Sequence, residues 1–237
     1  MLKLYGTLNS RASRVVWLAL ELGTEFVHVP VVQASRLAHP TGPDAPLNTA
    51  SPAFRQICPM GTIPVIDDDG LVLAESLAIN LYLARKARHS PVAPRNDDED
   101  GLAVMWSLWA ATMCEPHGVA ILVNRVIRPP EERDDDALGT AIAAMEAPLR
   151  HLGEALETGE GYLVGKRFTV ADLNAAEVLR YAQPAGALFD PHPGVSDWLS
   201  RCQSRPAFRE MMSRRAAEPL PENWRDAYRP LRRETGS

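Results

Sequence analysis

Cysteine is scarce in this chain: Cys58, Cys114 and Cys202 are the only three among 237 residues. Odd in number and far apart, they form neither a disulfide framework nor the paired spacing of a zinc site. The six histidines show no ligand spacing either, so no metal is expected. Such sparing use of thiols fits a reducing cytoplasm. Long apolar runs are missing too, which leaves no expected membrane-crossing helix. The first residues enter an apparent strand at once, Leu2-Lys3-Leu4-Tyr5, without the basic and apolar regions of a signal peptide. Positive charge is not in excess: Lys and Arg number 25 against 30 Asp and Glu, a net charge of −5, which argues against a general nucleic-acid binder. What remains is an ordinary soluble composition, 46% hydrophobic, long enough for one large domain or two modest ones.

The first third alternates strand and helix. Leu2–Tyr5 reads as a strand. Val15, Leu18, Ala19 and Leu22 recur at helical spacing, and Gly23 stops the helix. Phe26–Val31 reads as a second strand, parallel to the first through a right-handed crossover. A loop over Gln33–Pro52 follows, with a short helix near Ser51–Gln56. Thr62–Ile66 and Leu71–Leu73 form a hairpin about the turn Asp67-Asp68-Asp69-Gly70. Glu75–Ala87 is then helical. These features predict an α/β domain over 1–87 and a linker over 88–98.

An all-helical domain is expected over 99–215, with a tail over 216–237. Its first long helix carries Leu102, Met105, Trp106, Trp109 and Met113, read as one face, with a bend near Pro116. Pro129-Pro130 breaks the chain, and Asp134-Asp135-Asp136 opens the next helix, where the macrodipole favours carboxylates. Thr169-Val170-Ala171-Asp172 has the form of a capping box, with Phe168 and Leu173 as its hydrophobic staple. Two final helices cover Val195–Cys202 and Pro206–Arg215. The tail, with three prolines and a basic end, reads as extended or loosely ordered.

The most informative stretch is Cys58-Pro59-Met60-Gly61-Thr62-Ile63-Pro64-Val65-Ile66. A proline in a strand interior cannot donate to the ladder. A cis Ile63-Pro64 bond is expected here, leaving the main chain of Ile63 to pair with a peptide-like ligand. Asn9-Ser10-Arg11-Ala12-Ser13-Arg14 lies between the first strand and first helix. Its Ser10-x-x-Ser13 pair stands where a dithiol fold would carry C-x-x-C, so a protein disulfide cycle is not expected. A serine hydroxyl and a helix N-terminus stabilise a bound thiolate without any covalent bond to the protein. A plain helix-capping role is the alternative for either serine. Tyr5 sits inside the strand and reads as a packing residue.

Taken together, Pro59-x-Gly61-x-Ile63-Pro64-Val65, Glu75-Ser76-x-Ala78-Ile79-x-x-Tyr82-Leu83 and Thr169-x-x-Asp172 resemble, in order and spacing, the cytosolic glutathione transferases of the serine type, bacterial theta- or delta-like. The resemblance runs from Met1 to about Arg215. It implies a thioredoxin-like domain followed by a helical bundle, with glutathione as co-substrate. It also implies a catalytic role for Ser10, and glutathione contacts at Ile63, Pro64, Glu75, Ser76, Asn9 and Ser13. Ser76 would take the γ-glutamyl carboxylate at a helix N-terminus, Glu75 the ammonium, and Ile63 the cysteinyl main chain.

The reaction implied is attack on a small apolar electrophile, with Trp106, Trp109 and Met113 as pocket candidates and Glu115 and His117 as polar ones. A homodimer is implied as well, the first domain of one subunit against the helical domain of the other. Two positions depart from the family pattern: Thr62 replaces a basic residue and Cys58 an asparagine. Arg55, Gln56, His39 or Arg36 are the candidate donors for the glycine carboxylate. The alternatives are a glutathione-dependent peroxidase or reductase and a non-catalytic binding module that keeps the fold.

Overall fold

Four short strands organise the first unit of the computed structural model, which describes residues 1–219. The strands β1 (Leu2–Tyr5), β2 (Phe26–Val29), β3 (Val65–Asp68) and β4 (Leu71–Ala74) lie in the order β2-β1-β3-β4. β1 and β2 are parallel, with Leu2 opposite Phe26. β3 is antiparallel to both β1 and β4. The Ile63-Pro64 peptide is cis, as expected. β3 nonetheless begins at Val65 rather than Thr62, because Pro64 has no N–H for the ladder. The hairpin turn is Asp69-Gly70, both with positive φ (51° and 96°), and Asp67 and Asp68 belong to the strand.

Helix α1 (Ala12–Leu22) is buried on nearly every side, since Ala12, Val15, Val16, Trp17, Leu18 and Ala19 are all enclosed. It stops at Gly23, which takes the left-handed conformation (φ 64°), while the Thr24 N–H reaches back to the Ala19 carbonyl. The short helix α2 (Pro52–Ile57) precedes the cis bond, and α3 (Ser76–Lys86) follows β4. Gly61 takes a positive φ (61°) that side-chain-bearing residues rarely adopt, and an added Cβ would displace the Arg55 guanidinium, whose carbon lies 2.3 Å away.

The second unit begins at α4 (Asp97–Trp109), two residues before the expected start. Its N-cap is Asn96, whose side chain accepts from the Glu99 N–H at 2.8 Å. The connection from α3 is docked rather than loose. Val92 and Ala93 are buried, and the Arg167 guanidinium ties the carbonyls of Pro91 and Ala93 to Glu99. α4 continues through a π-helical stretch (Ala110–Cys114) into α5 (Glu115–Leu122) and a second π-helical stretch (Val123–Ile127). The expected disturbance near Pro116 is therefore a widened turn inside a continuous rod. Such widened turns gather at functional sites.

Helices α6 (Asp135–Thr158), α7 (Val170–Leu179), α8 (Pro193–Gln203) and α9 (Pro206–Ala217) complete the bundle. The Thr169–Asp172 capping box is present, and every residue of α7 is buried. Asp172 also accepts from the Trp198 indole at 2.9 Å, which locks α8 onto the cap. Asn80 of α3 donates to Asn174 of α7 at 2.7 Å, and Asn174 donates to Ser107 of α4, so a chain of amides crosses between the two units. The tail expected over 216–237 lies outside the described residues from 220 onward.

Candidate functional site

Two adjoining cavities lie where the sheet unit meets the α4–α5 rod. The larger, about 900 Å³, is lined by Thr62, Ile63, Glu75 and Ser76 on one side and by Leu108, Ala111, Glu115 and Val119 on the other. The smaller, about 170 Å³, is lined by Asn9 and Ser10 and by Leu122, Val126 and Ile127. Arg11, Gln33 and Ile63 belong to both.

Glu75 and Ser76 come together as expected. Ser76 opens α3, an 11-residue helix, with its unpaired N–H groups facing the larger cavity. Its Oγ accepts from Arg14 Nη1 at 3.2 Å and donates to nothing among the described residues, so its proton is available. Glu75 is held at φ 68° and ψ 106°, a conformation that costs a side-chain-bearing residue about 1–3 kcal/mol. Neighbouring Ile63 makes no main-chain hydrogen bond among the described residues. Pro64 is buried and lines neither cavity.

Ser10 and Ser13 separate. Ser10 Oγ donates to the Thr7 carbonyl at 2.6 Å and accepts from the Ala12 N–H at 3.1 Å, while the residue reaches the smaller cavity. Ser13 is fully buried, donates to the Ser10 carbonyl at 3.1 Å and faces no cavity. Asn9 reaches the smaller cavity with its donors engaged. Its N–H and Nδ2 go to Glu218 Oε2 at 3.1 and 3.3 Å, and its Oδ1 accepts from Arg215. Glu218 is two hundred residues away in sequence, so nothing near Asn9 signalled this.

A buried ion cluster that sequence reasoning missed supports the site. Arg14, 1% exposed, donates from Nη1 and Nη2 to both oxygens of Glu115 at 3.1 and 3.0 Å. Arg11 Nε also donates to Glu115. Burial opposes ionisation of Glu115, but the two guanidiniums outweigh it and hold its carboxyl below the usual range. The Arg14 guanidinium further stacks over Tyr181, 5.4 Å from the ring centre. Glu115 thus faces the cleft as anticipated, although 101 residues separate it from Arg14.

The apolar residues of α4 do not form one face. Trp106 is buried against Trp109 (edge-on, 5.1 Å) and His151 (stacked, 5.7 Å), away from both cavities. Met113, Leu102 and Met105 are exposed. Leu108, Ala111 and Glu115 line the cleft instead, the last two within and just after the π-helical stretch. Arg55 is occupied by the carbonyls of Thr49 and Pro59, while Gln56 and His39 line neither cavity. Arg36 lines the smaller one. Cys114 is next to Glu115, but burial pushes its thiol up to about 12, which keeps it an inert neutral group.

Residues 10–86 match the family model "Glutathione S-transferase, N-terminal domain" and residues 118–206 match "Glutathione S-transferase, C-terminal domain". Glutathione S-transferase 3 of Zea mays is 30% identical over 234 residues, covering 93% of this chain and 96% of that protein. The chain belongs to the glutathione S-transferase family. Its fold matches the theta-class glutathione S-transferase of Xanthomonas axonopodis pv. citri with glutathione bound (TM-score 0.71, 25% identity, 88% of this chain and 95% of that one). It also matches maize glutathione S-transferase I in complex with an atrazine glutathione conjugate (TM-score 0.76, 25% identity, 92% and 99%). As a member of that family this chain is a glutathione transferase, an enzyme whose co-substrate is glutathione. Among the described residues no group of three His, Cys, Asp or Glu side chains is placed to hold a metal, and no helix is long and apolar enough to cross a membrane.

Proposed function

We propose that the larger cavity holds glutathione, that Ser10 stabilises its thiolate, and that the thiolate attacks an electrophile seated in the smaller cavity. The observation that carries this reading is Ile63. Its unpaired main chain lies on the wall common to the Ser76 cavity and the Ser10 cavity. A tripeptide whose cysteinyl residue pairs with Ile63 has its γ-glutamyl end toward Ser76 and its sulfur toward Ser10. The γ-glutamyl carboxylate then meets the α3 N-terminus and the Ser76 hydroxyl, while the ammonium meets Glu75. Gln33 and Thr49, both on the wall of the larger cavity, are the donors for the glycine carboxylate, in place of the basic residue that Thr62 replaces.

Chemically, the Ser10 hydroxyl is already polarised by the Ala12 N–H. Turning its proton from the Thr7 carbonyl to the sulfur gives the thiolate a hydrogen bond at the start of α1, where the helix dipole is positive. The free thiol's pKa of about 8.5 then falls, and more of it is nucleophilic near neutral pH. Conjugation is favoured over a cysteine-type exchange because no side-chain thiol lines either cavity. Retention on glutathione resin with turnover of a generic aromatic halide tests the reading; a protein that binds no glutathione contradicts it. Replacing Ser76 with alanine removes a hydrogen bond to a charged group, so KM for glutathione rises about tenfold or more. An unchanged KM in steady-state kinetics would remove Ser76 from the site.

The same reading includes a homodimer in a reducing cytoplasm. Cys58, Cys114 and Cys202 are free and buried, which supports the compartment. Two exposed apolar regions support the dimer: Leu102 and Met105 on α4, and the edge strand β4, which carries Leu71 and Val72 on its opposite sides. In a two-fold arrangement each copy offers both regions, so α4 of one covers β4 of the other twice. A Met105→Glu substitution places a charge in that contact. Sedimentation velocity is expected to show a dimer for the parent chain and a monomer for the variant; a parent monomer, or a dimer in both, contradicts the contact.

A further inference from the structure

We infer that Tyr181 is a further catalytic residue, whose hydroxyl donates to an oxygen of the electrophile as the glutathione sulfur adds to it. The inference rests on the glutathione reading above and concerns the other reactant. Tyr181 lies in the short helical turn Arg180–Ala182, which follows α7, and lines the smaller cavity together with Ser10. It is 9% exposed, yet its hydroxyl makes no hydrogen bond among the described residues and is not sealed from solvent. A tyrosine so enclosed ordinarily gives its O–H to a neighbouring acceptor. Other donors around that cavity are engaged: Ser10 with the Thr7 carbonyl, Asn9 with Glu218, and Arg11 with Glu115. The Tyr181 proton is uncommitted.

Packing holds the ring. The guanidiniums of Arg14 and Arg180 each lie over it, 5.4 Å from its centre. Both are already paired, Arg14 with Glu115 at 3.0 Å and Arg180 with Glu177 at 3.0 Å. Their part here is to fix the ring, not to draw in an anion. Gly118 of α5 admits the turn, since a Cβ added there would lie 3.3 Å from the Tyr181 Cβ. A donor fixed in advance needs no reorganisation when negative charge develops beside it, and such a donor lowers the barrier most.

For an α,β-unsaturated ketone the step balances. The thiolate sulfur forms a bond to the β-carbon, the double-bond pair shifts toward the carbonyl, and the oxygen becomes an enolate. Tyr181 gives that oxygen its proton, the phenolate regains one from solvent, and the enol passes to the ketone. A displacement needs no such proton, because a halide leaves with the electron pair of the broken bond.

Tyr181→Phe keeps the ring and its stacking and deletes the hydroxyl. With glutathione, its kcat/KM toward 4-phenylbut-3-en-2-one is expected to fall about tenfold or more. Toward 4-nitrobenzyl chloride the change should stay within about twofold, since a leaving halide is a poor acceptor. The apparent pKa of the bound thiol should match that of the parent chain, because Tyr181 serves the electrophile and not the sulfur. Equal losses on both substrates, or no loss on the enone, overturn the inference and leave the glutathione reading intact. A bound thiol that titrates higher in Tyr181→Phe puts the hydroxyl at the sulfur and overturns it too. So does a parent chain that binds glutathione and leaves the enone unreacted. A parent chain that binds no glutathione overturns both readings.

Discussion

Replacing Ser10 with alanine is expected to lower kcat/KM by about a hundredfold or more, the loss seen when one donor to a developing or resident anion is removed from an enclosed site. The hydroxyl has two duties. It accepts from the Ala12 N–H as a cap of α1, and it supplies a side-chain proton on the wall of the smaller cavity that can turn to a sulfur. The first duty is worth about 1 kcal/mol of stability and the second is chemical, so the two separate in one variant. Ser10→Ala should unfold only slightly more easily while its pH–rate profile moves toward the free thiol. Threonine at the same position keeps a hydroxyl and should restore part of the rate. A variant with full activity and reduced stability would make Ser10 a cap only, and would leave Arg11, which lines both cavities, as the group beside the sulfur.

The largest stability effect is expected at Arg14. Its guanidinium is 1% exposed and satisfies both oxygens of Glu115, the Ser76 hydroxyl and the Tyr181 face together. Arg14→Met strands the Glu115 carboxylate in the cleft with Arg11 alone, and breaking a buried pair by removing one partner costs about 3–5 kcal/mol. For a chain of this size that lowers Tm by about 10 °C. A compensating Glu115→Leu change should return most of the loss, because the unpaired charge goes with it. Glutathione affinity should fall in Arg14→Met and stay low in the double variant, since Ser76 loses the donor that orients its hydroxyl in both. Thermal melts with and without glutathione read the two effects. A Tm change of a degree or two would mean that the pair contributes little.

How far the sequence foretold this arrangement depends on the range over which each signal acts. Leu2–Tyr5, the Gly23 stop, the Asp69-Gly70 turn and the Thr169–Asp172 cap are set by contacts within a few residues, and each is readable from local chemistry. The Ile63-Pro64 bond and the Glu75-Ser76 helix start are local as well. The β-branched residues of Thr62–Ile66 read as a strand from its first residue, whereas the missing N–H of Pro64 delays the ladder to Val65. On α4 the limit is different: apolar residues at helical spacing look alike, and what packs against the helix, not the spacing, buries Trp106 while Leu108 lines the cleft. Arg14–Glu115 and Asn9–Glu218 are pairings over a hundred residues or more, between types that occur throughout the chain, so no local pattern could have singled them out.

A bound thiol that is already an anion at neutral pH is the core of the account. Titrating the ultraviolet thiolate absorbance of glutathione held by the enzyme tests it directly. The account predicts an apparent thiol pKa of about 7.5 or below in the parent chain, against about 8.5 for the free thiol, with a return toward the free value in Ser10→Ala. A bound thiol that titrates with the free one in both proteins would contradict it.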